Sequence, residues 1–230
     1  MKRQKGKTLP KKPVPLPIPK TKIFALGQQF ENDLDKSLFY FTYLTGARAS
    51  EVIQVETNDF EKVFDQGKEQ WKVNVHTLKR RDLTSGFPFR NLPLKGSTDI
   101  ELKMLELILR HKITFEKHGI QKMFEFNRKT LWKKFSAIKF PATLVHFEPL
   151  ELEEGAEQHL YPHFLRHCRA TDLVQDYGFG PFDLQYFMGW SSLDVAAVYV
   201  SLDWRHASRL LLGLQQQIGS NPVESVSPTG

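Results

Sequence analysis

The stretch PHFLRHCRATDLVQDYG, residues 162–178, is predicted to be a single helix. Its first residue is a proline, which suits the first turn of a helix, and its last residue is a glycine, which suits the position that ends one. His163 and His167 lie four residues apart on it, with Arg166 between them. The sequence therefore predicts a helix that carries two imidazoles and a guanidinium close together.

Further helices are predicted on both sides of this one. Towards the C-terminus, PFDLQYFMG (181–189) is a short helix, and SSLDVAAVYVSL (191–202) begins at a serine pair suited to N-capping. Towards the N-terminus, apolar residues recur at helical spacing from Asp33 until Gly46 interrupts the pattern. A second helical stretch follows through Arg48, Glu51 and Val52. The other predicted apolar helix faces are Ile100, Met104, Leu107, Ile108 and His111, with Asp99 as the cap, and Leu131, Trp132, Phe135 and Ile138.

The segment 59–94 has a different pattern. DFEKVF, QWKVNVHTL and FPFRNLPL are short β-rich runs, and DQGK and RRDLTSG between them contain turn residues. This pattern predicts a three-stranded antiparallel sheet. The fold class expected is mixed α/β, mainly α-helical, with one small antiparallel sheet.

Charge is distributed unevenly along the 230 residues. The net charge is +6, yet residues 1–22 hold eight basic residues and no acidic one, so the remainder carries 24 basic and 26 acidic residues. Five prolines also fall in residues 1–22, which we expect to be an extended arm. Such an arm favours a polyanion through counterion release, although a solubilising tail has the same composition.

Several classes of protein are made improbable by composition. The single cysteine, Cys168, excludes an internal disulfide framework and a cysteine-rich zinc site. His163 and His167 have the spacing of two zinc ligands, but no third ligand accompanies them, so no metal is predicted. With no long apolar run and no signal-peptide pattern, we expect an intracellular protein without membrane contact.

Two short sequences resemble the arginine boxes of the tyrosine recombinase, or integrase, family. LTGARASEV (44–52) is similar to the first box, Thr-Gly-x-Arg-x-x-Glu, with Arg48 and Glu51 at its arginine and glutamate positions. HFLRH, in the helix quoted first, is similar to the His-x-x-Arg box and supplies His163 and Arg166. His167 stands where a histidine commonly follows in the family.

Two further segments extend the resemblance, which covers about residues 25–205. MGWSSLDVAAVY (188–199) is similar to the last box, in which the nucleophilic tyrosine follows a His or Trp by nine residues, as Tyr199 follows Trp190. The family also places a lysine on a β-hairpin between the two arginine boxes, and Lys79 matches it. The resemblance thus implies the recombinase catalytic-domain fold and six catalytic residues: Arg48, Lys79, His163, Arg166, Trp190 and Tyr199.

The chemistry implied is DNA strand cleavage and rejoining without metal, ATP or other cofactor. Arginine offers a planar fork of donors matched to phosphate oxygens, so Arg48 and Arg166 would clamp the scissile phosphate. Tyr199 would attack it to give a 3′-phosphotyrosyl intermediate, and Lys79 would protonate the leaving 5′ oxygen. His163 would assist deprotonation of Tyr199. The two arginines are expected to lower the phenol pKa from about 10.

Supporting roles follow from the same resemblance. Trp190 would stabilise the phosphate by its indole N–H and by packing, and Glu51 and His167 would support the site, Glu51 by orienting its neighbours. The partners implied are double-stranded DNA and three further copies of the chain in a tetramer on DNA. The location implied is with DNA, in the cytoplasm or nucleoid. The residues expected to contact DNA outside the catalytic set are Lys2, Arg3, Lys5, Lys7, Lys11, Lys12, Arg80 and Arg81.

The domain organisation expected is a basic arm (1–22), a catalytic domain (23–218) that includes a C-terminal helix (204–217), and a disordered tail (219–230). That helix is a candidate contact between protomers, and packing on its own domain is the alternative. Family members usually carry a helical domain before the catalytic one, so the sequence is either a catalytic fragment or a minimal enzyme. The acidic segment 146–158 is expected to be a surface loop.

Two other functions are compatible with these residues. A type IB topoisomerase uses the same residue classes and the same tyrosine adduct, but relaxes supercoils instead of joining strands from two duplexes. A DNA-binding regulator could keep the fold without activity. The complete set of catalytic residue types favours an active recombinase over both.

Overall fold

The computed structural model describes residues 18–65, 67–77, 89–141 and 157–200. The described helices are α1 (Lys20–Gln28), α2 (Asp33–Thr45), α3 (Ala49–Val52), α4 (Asp99–Lys117), α5 (Arg128–Ser136), α6 (Pro162–Gln175), α7 (Pro181–Met188) and α8 (Leu193–Ala197). The described strands are β1 (Phe60–Asp65), β2 (Lys68–His76), β3 (Phe89–Leu94), β4 (Lys139–Pro141) and β5 (Glu157–His159). The predicted fold class, mainly helical with a small antiparallel sheet, is confirmed.

Helix α2 runs through the centre of the molecule. Asn32 caps it by accepting a hydrogen bond from the Asp35 N–H at 2.9 Å, and every residue from Ser37 to Thr45 is buried. A helix that is buried all round packs against neighbours on several sides, and α2 contacts α1, α4 and α6. It ends at Gly46, which has a left-handed φ of 58° and therefore begins the arginine-bearing turn before α3.

Aromatic side chains make up much of the core around α2. Phe41 packs against Phe60 of β1 and Phe124, with ring centroids 5.8 and 5.4 Å apart. Phe39 packs on Phe135 of α5 at 5.8 Å. Rings of this size remove large apolar areas from water. They fix the helices and the sheet as one unit around α2.

The three-stranded sheet has the order β1-β2-β3, with both pairs antiparallel. Val73 and Val75 of β2 and Leu92 of β3 are buried, as period-2 alternation requires of a sheet with one covered face. In the β2–β3 register Val75 lies opposite Arg90, and His76 lies opposite Phe89. Thr77 and Phe89 thus flank the segment 78–88, which contains the predicted general acid Lys79.

The expectation of an extended arm over residues 1–22 is wrong at its C-terminal end. Helix α1 begins at Lys20, and Lys20 forms an ion pair with Asp176 at 2.9 Å and lies 3.8 Å from Glu101. Ile23 and Leu26 of this helix are buried in the core. The number of basic residues in 1–22 did not indicate that a helix begins at Lys20. The apolar residues of this helix anchor it to the core.

Three other local expectations need correction. The acidic segment 146–158 ends in β5, where Glu157 pairs with Pro141 of β4 and forms an ion pair with Lys139 at 3.1 Å. Trp132 is 53% exposed and does not belong to the apolar face of α5. Thr98, not Asp99, caps α4 by accepting the Glu101 N–H at 3.3 Å.

Several predicted features lie outside the described residues. They are the six basic residues of the arm from Lys2 to Lys12, the hairpin residues Lys79, Arg80 and Arg81, most of the acidic segment, the helix 204–217 and the tail. Across the described part of the chain, no helix has the length and apolar character needed to cross a membrane.

Candidate active site

Two glycine turns form the base of the site. Gly46 ends α2 and Gly189 ends α7, with φ of 58° and 62° respectively, a backbone region that favours glycine. The carbonyl groups at the C-terminal end of a helix carry partial negative charge and lack partners within the helix. Both turns therefore offer acceptors to cations.

Arg166 of α6 takes up two of these acceptors. It is 1% exposed, and its Nη1 and Nη2 donate to the carbonyl oxygens of Gly46 and Met188. Burial and the charge of Arg48 lower its pKa to about 9, so the guanidinium stays cationic at neutral pH. Its Nε has no hydrogen-bond partner among the residues that the structure describes.

Arg48 precedes α3 and is held from two sides. Its Nη1 donates to Glu51 Oε1 at 2.7 Å, and its Nη2 donates to the Gly189 carbonyl at 3.0 Å. The Arg48 backbone N–H also donates to Glu51 Oε2 at 2.9 Å. The first arginine box is therefore a turn in which the glutamate fixes both the backbone and the side chain of the arginine.

Glu51 is fully buried and binds a second arginine, Arg90 of β3. Arg90 Nη2 lies 3.1 Å from Glu51 Oε2, and Arg90 Nη1 lies 3.4 Å from Oε1. Burial by itself would raise the Glu51 pKa, but the charges and hydrogen bonds of Arg90 and Arg48 outweigh it, and the net pKa is lowered. Glu51 is thus an anion between two cations.

A cavity of about 250 Å³ opens beside these arginines. Arg48, Arg166 and His163 line it, so a helix-preceding turn and α6 contribute to the same concave surface. Arg128 and Trp132 of α5 close its other side. The remaining lining residues are Ala47, Ala49, Ser50 and Pro162. Cationic and imidazole groups around a cavity of this size suit a phosphate-sized anion.

Trp190 contacts both Tyr199 and Arg166. The two rings are stacked with centroids 5.2 Å apart and planes 18° apart, and the Arg166 guanidinium carbon lies 5.6 Å from the Trp190 centroid. Trp190 is 8% exposed. Tyr199 itself does not line the cavity, and it follows the short helix α8, whose cap Ser192 accepts the Asp194 N–H at 3.1 Å.

The two histidines of α6 have different surroundings. His167 Nδ1 is hydrogen-bonded to the Tyr199 hydroxyl, and the two rings stack at 5.8 Å. His163 lines the cavity and meets the His167 ring edge-on at 4.5 Å. His167, which the sequence-based hypothesis had given a supporting role, is therefore hydrogen-bonded to the phenol, and the role assigned there to His163 stays a prediction.

The protonation states also differ from expectation. Burial raises the pKa of the Tyr199 phenol above its ordinary value of 10, and the charge of Arg166 lowers it by less. The expectation of a lowered phenol pKa is thus wrong, because burial outweighs the nearby cations. Burial, with the charges of His163 and Arg166, lowers the His167 pKa to about 4, so this imidazole is neutral at pH 7 and can accept the phenol proton.

The remaining predicted site residues are not tested by this geometry. Lys79, Arg80 and Arg81 lie outside the described residues. Within the described ranges, no group of three or more His, Cys, Asp or Glu side chains is placed to hold a metal ion.

Three residues of this region had no predicted role at the site. Arg90 lies on the same buried face of β3 as Leu92, and an arginine at a core-facing strand position is the signal that could have found it. Arg128 belongs to a basic cluster with Lys129, Lys133 and Lys134, which is typical of a solvated face and has a DNA contact as the alternative. Trp132 falls at an apolar helical position, so periodicity alone assigned it to the core.

The chain matches the sequence model of the phage integrase family over residues 26–206. It belongs to the phage integrase family. The matched region includes all five described residues of the catalytic set that the resemblance implied, and the resemblance itself is confirmed.

A curated relative of this phage integrase family chain is the tyrosine recombinase XerC of Proteus mirabilis. The two are 24% identical over 185 residues, which cover 76% of this chain and 50% of the relative. The chain thus spans about half the length of the curated relative that it matches.

Two solved structures share the fold of this phage integrase family chain. The XerH site-specific recombinase in a pre-cleavage complex with its difH substrate superimposes with a TM-score of 0.56 at 20% identity, over 89% of this chain and 55% of XerH. The XerA recombinase superimposes with a TM-score of 0.57 at 14% identity, over 90% of this chain and 67% of XerA.

Proposed function

We propose that this chain is the catalytic domain of a site-specific DNA recombinase, which cleaves and rejoins double-stranded DNA through Tyr199. The observation that carries the proposal is that Arg48, Arg166 and the Trp190–Tyr199 stack, far apart in sequence, meet beside one cavity. Family membership supports it, and the similar XerH is bound to a DNA substrate named difH.

The scissile phosphate is proposed to occupy the cavity between Arg48 and Arg166. A guanidinium has five N–H donors, and each arginine uses part of this set on backbone or carboxylate oxygens. Those contacts fix the fork before substrate arrives, so charge stabilisation requires little rearrangement during the reaction. His163 lines the same cavity and would add a donor to a phosphate oxygen.

The nucleophile is the Tyr199 oxygen. In the step proposed, it forms a bond to phosphorus while the bond from phosphorus to the 5′ oxygen breaks, leaving a 3′-phosphotyrosyl adduct. The phenol proton passes to neutral His167, whose Nδ1 already contacts the hydroxyl. Because Tyr199 does not line the cavity, cleavage requires the phenol oxygen to turn towards phosphorus once its proton has passed to His167.

The leaving 5′ oxygen needs a proton, and the proposed donor is Lys79, predicted from the sequence alone. The 5′ hydroxyl of a partner strand then attacks the phosphotyrosine and releases the phenol. Since the adduct conserves the energy of a phosphodiester, resealing needs no ATP. The assembly proposed is a tetramer on DNA, for which the segment 204–217 is a candidate contact.

The proposed DNA surface surrounds the cavity. Arg128 and Trp132 line its outer side and are exposed. Lys134 of the same helix is committed to the fold, since it forms an ion pair with Asp35 at 2.6 Å. The basic arm and the hairpin residues Arg80 and Arg81 complete the proposed surface.

The test captures DNA covalently bound to the protein. The protein is incubated with a supercoiled plasmid library of random genomic fragments, the reaction is stopped with detergent, and protein-linked DNA is collected and sequenced. Wild type should give an adduct at one recurrent sequence, and Tyr199→Phe should give none. Tyr186→Phe, which alters an exposed tyrosine outside the cavity lining, is the matched control.

Each outcome has a distinct meaning. An undiminished adduct from Tyr199→Phe would remove the assignment of the nucleophile. DNA binding without any adduct from wild type would favour a silent regulator. An adduct accompanied by supercoil relaxation, without joining of strands from two duplexes, would favour the topoisomerase-like alternative.

Lys79 is tested separately by changing the leaving group. Lys79→Ala should slow cleavage of a normal 5′ oxygen far more than cleavage of a 5′-bridging sulfur, because a thiolate leaves without a proton. Both rates are measured on the site recovered above. Equal slowing on the two substrates would point to Arg80 or another residue as the proton donor.

A further inference from the structure

Arg90 is a buried cation behind the cavity. We propose that it is a positioning residue. By pairing with Glu51 it compensates the negative charge of that carboxylate, so that the positive charge of Arg48 remains available to the phosphate. The inference rests on the proposed function, since it concerns the phosphate assigned to the cavity. Arg90 is 4% exposed and does not line the cavity, so it is not expected to touch DNA itself.

Its contacts show how it acts on Arg48. Arg90 binds both carboxylate oxygens of Glu51, and the same carboxylate binds the side chain and the backbone N–H of Arg48. Without Arg90, the buried carboxylate of Glu51 would keep its hydrogen bond to the guanidinium of Arg48 and lose the one to Arg90. It would then draw that side chain towards itself and neutralise it, because a buried charge requires a partner.

Arg90 also packs under the turn that holds the other end of Arg48. A Cβ built on Gly189 would lie 2.3 Å from Arg90 Nη1, and the Gly189 carbonyl accepts the Arg48 Nη2 at 3.0 Å. Arg90 Nη1 further donates to Thr77 Oγ1 at 3.3 Å, at the end of β2. One guanidinium therefore touches the sheet, the glutamate and the glycine turn that together position Arg48.

The charges of this group fit phosphate transfer. Arg48, Arg90 and Arg166 supply three positive charges and Glu51 supplies one negative charge, which leaves +2 beside the cavity. The pentavalent transition state carries more negative charge than the diester, so an excess of fixed positive charge lowers its energy selectively. Loss of Arg90 would halve that excess.

The experiment compares two buried arginines that each pair with a buried glutamate. Arg90→Gln removes the ion pair with Glu51, and Arg169→Gln removes that between Arg169 and Glu101, joined at 2.8 Å with both side chains at most 5% exposed. The Arg169 side chain does not line the cavity. Both variants should be destabilised, and only Arg90→Gln should alter charge stabilisation.

The readout is single-turnover cleavage of the recovered site with either a normal phosphodiester or a methylphosphonate at the scissile position. The methyl group replaces one charged oxygen, so the transition state needs less positive charge. We expect Arg90→Gln to slow diester cleavage about a hundredfold and methylphosphonate cleavage less than about tenfold. Arg169→Gln should slow cleavage of both substrates by the same factor. DNA affinity of Arg90→Gln should stay within about twofold of wild type.

Two further variants keep the test decisive. Arg90→Lys retains the charge without the two-pronged contact, and should fall between wild type and Arg90→Gln on the diester. Adding Glu51→Gln to Arg90→Gln restores the net charge of +2 and should recover at least part of the diester rate. If Arg90→Gln does not fold, the two substrates are compared in Arg90→Lys instead.

Equal slowing of Arg90→Gln on both substrates would overturn the inference and leave Arg90 a structural residue. The same conclusion would follow if the double variant were no faster than Arg90→Gln. A wild-type protein that forms no adduct would instead refute the proposed function, and this outcome is known before any Arg90 variant is compared.

Discussion

His163 and His167 are one helical turn apart, yet they are proposed to do different work. His167 Nδ1 is hydrogen-bonded to the Tyr199 hydroxyl, and His163 lines the cavity. The difference follows from the 100° that each residue adds around a helix, which sends positions 163 and 167 to neighbouring but separate directions. A pattern of two histidines in sequence does not carry that information.

The lowered pKa of His167 predicts a pH dependence of stability. Its folded pKa of about 4 lies below the ordinary value of 6.5, so the unfolded chain binds more protons between these values. The contribution of this group is therefore complete above pH 6.5 and is lost as the pH falls towards 4. Chemical unfolding measured across that window should show a smaller loss for His167→Gln than for wild type.

His118→Gln, an exposed histidine at the end of α4, is the control for this measurement. It should retain the wild-type loss of stability between pH 6.5 and 4, and carboxylates that titrate below this window contribute equally to all three proteins. A loss in His167→Gln as large as in wild type would contradict a neutral, buried imidazole at this position.

At the scale of elements, the site is built where helices end. Helices α2 and α7 both stop at left-handed glycines, and the carbonyl groups of Gly46, Met188 and Gly189 hold Arg166 and Arg48. The unpaired carbonyls of a helix C-terminus and a guanidinium satisfy one another. The arginine clamp is thus a consequence of two capping turns that face each other.

Gly189→Ala should reduce stability and cleavage by more than the strain of a left-handed alanine would cause. An alanine there carries the cost of a left-handed residue, about 1–2 kcal/mol, and its Cβ would collide with Arg90. Thermal unfolding and single-turnover cleavage should both show a large loss, with little change in DNA affinity.

Gly119→Ala is the matched control, because φ there is 69° and a Cβ would meet nothing within 4 Å. It should show the stability loss of strain alone and cleave DNA at the wild-type rate. Equal effects of the two substitutions on stability and cleavage would mean that the contact of Gly189 with Arg90 is unimportant.

Helix α5 supplies the outer wall of the cavity through Arg128 and Trp132. Arg128→Ala should weaken binding to the recovered DNA site by about tenfold, the worth of a charge-assisted contact of 1–2 kcal/mol, measured by fluorescence anisotropy. Arg110→Ala, an exposed arginine paired with Glu106 on α4, is the control and should bind as wild type does. Equal weakening in both would indicate a nonspecific charge effect.

Across the whole molecule, the excess positive charge is concentrated near the start of the sequence. The excess positive charge is carried by residues 1–22, and the remainder has slightly more acidic than basic residues. Sequence-independent attraction to DNA is therefore predicted to come mainly from the arm, while the arginines of the site act on a single phosphate.

Replacing six of the eight basic residues of the arm by glutamine should reduce the salt dependence of DNA binding. The changed positions are Lys2, Arg3, Lys5, Lys7, Lys11 and Lys12. If all six contact phosphates, the slope of log K against log salt falls by about 5, measured by titration at several salt concentrations. The cleavage rate of bound DNA should not change, and an unchanged slope would make the arm a solubilising tail.

The sequence by itself determined much of the fold and the family, and it supplied the candidate residues of the site. The spacing of apolar residues predicted α2 and α4, because a helix has a fixed period of 3.6 residues. Short β-rich runs between turn residues predicted the three-stranded sheet, and the proline and glycine at the ends of the stretch 162–178 predicted α6. Gly46 was also predicted to interrupt the pattern of α2, since left-handed backbone is costly for other residues. Local signals of this kind depend on neighbours along the chain.

The tertiary structure decided which groups touch. That His167 rather than His163 holds the Tyr199 hydroxyl, that burial raises the phenol pKa, and that Arg90 shares Glu51 with Arg48 all depend on packing between distant segments. Desolvation and charge–charge energies vary with separation and burial in space, neither of which is encoded in the spacing of residues along the chain.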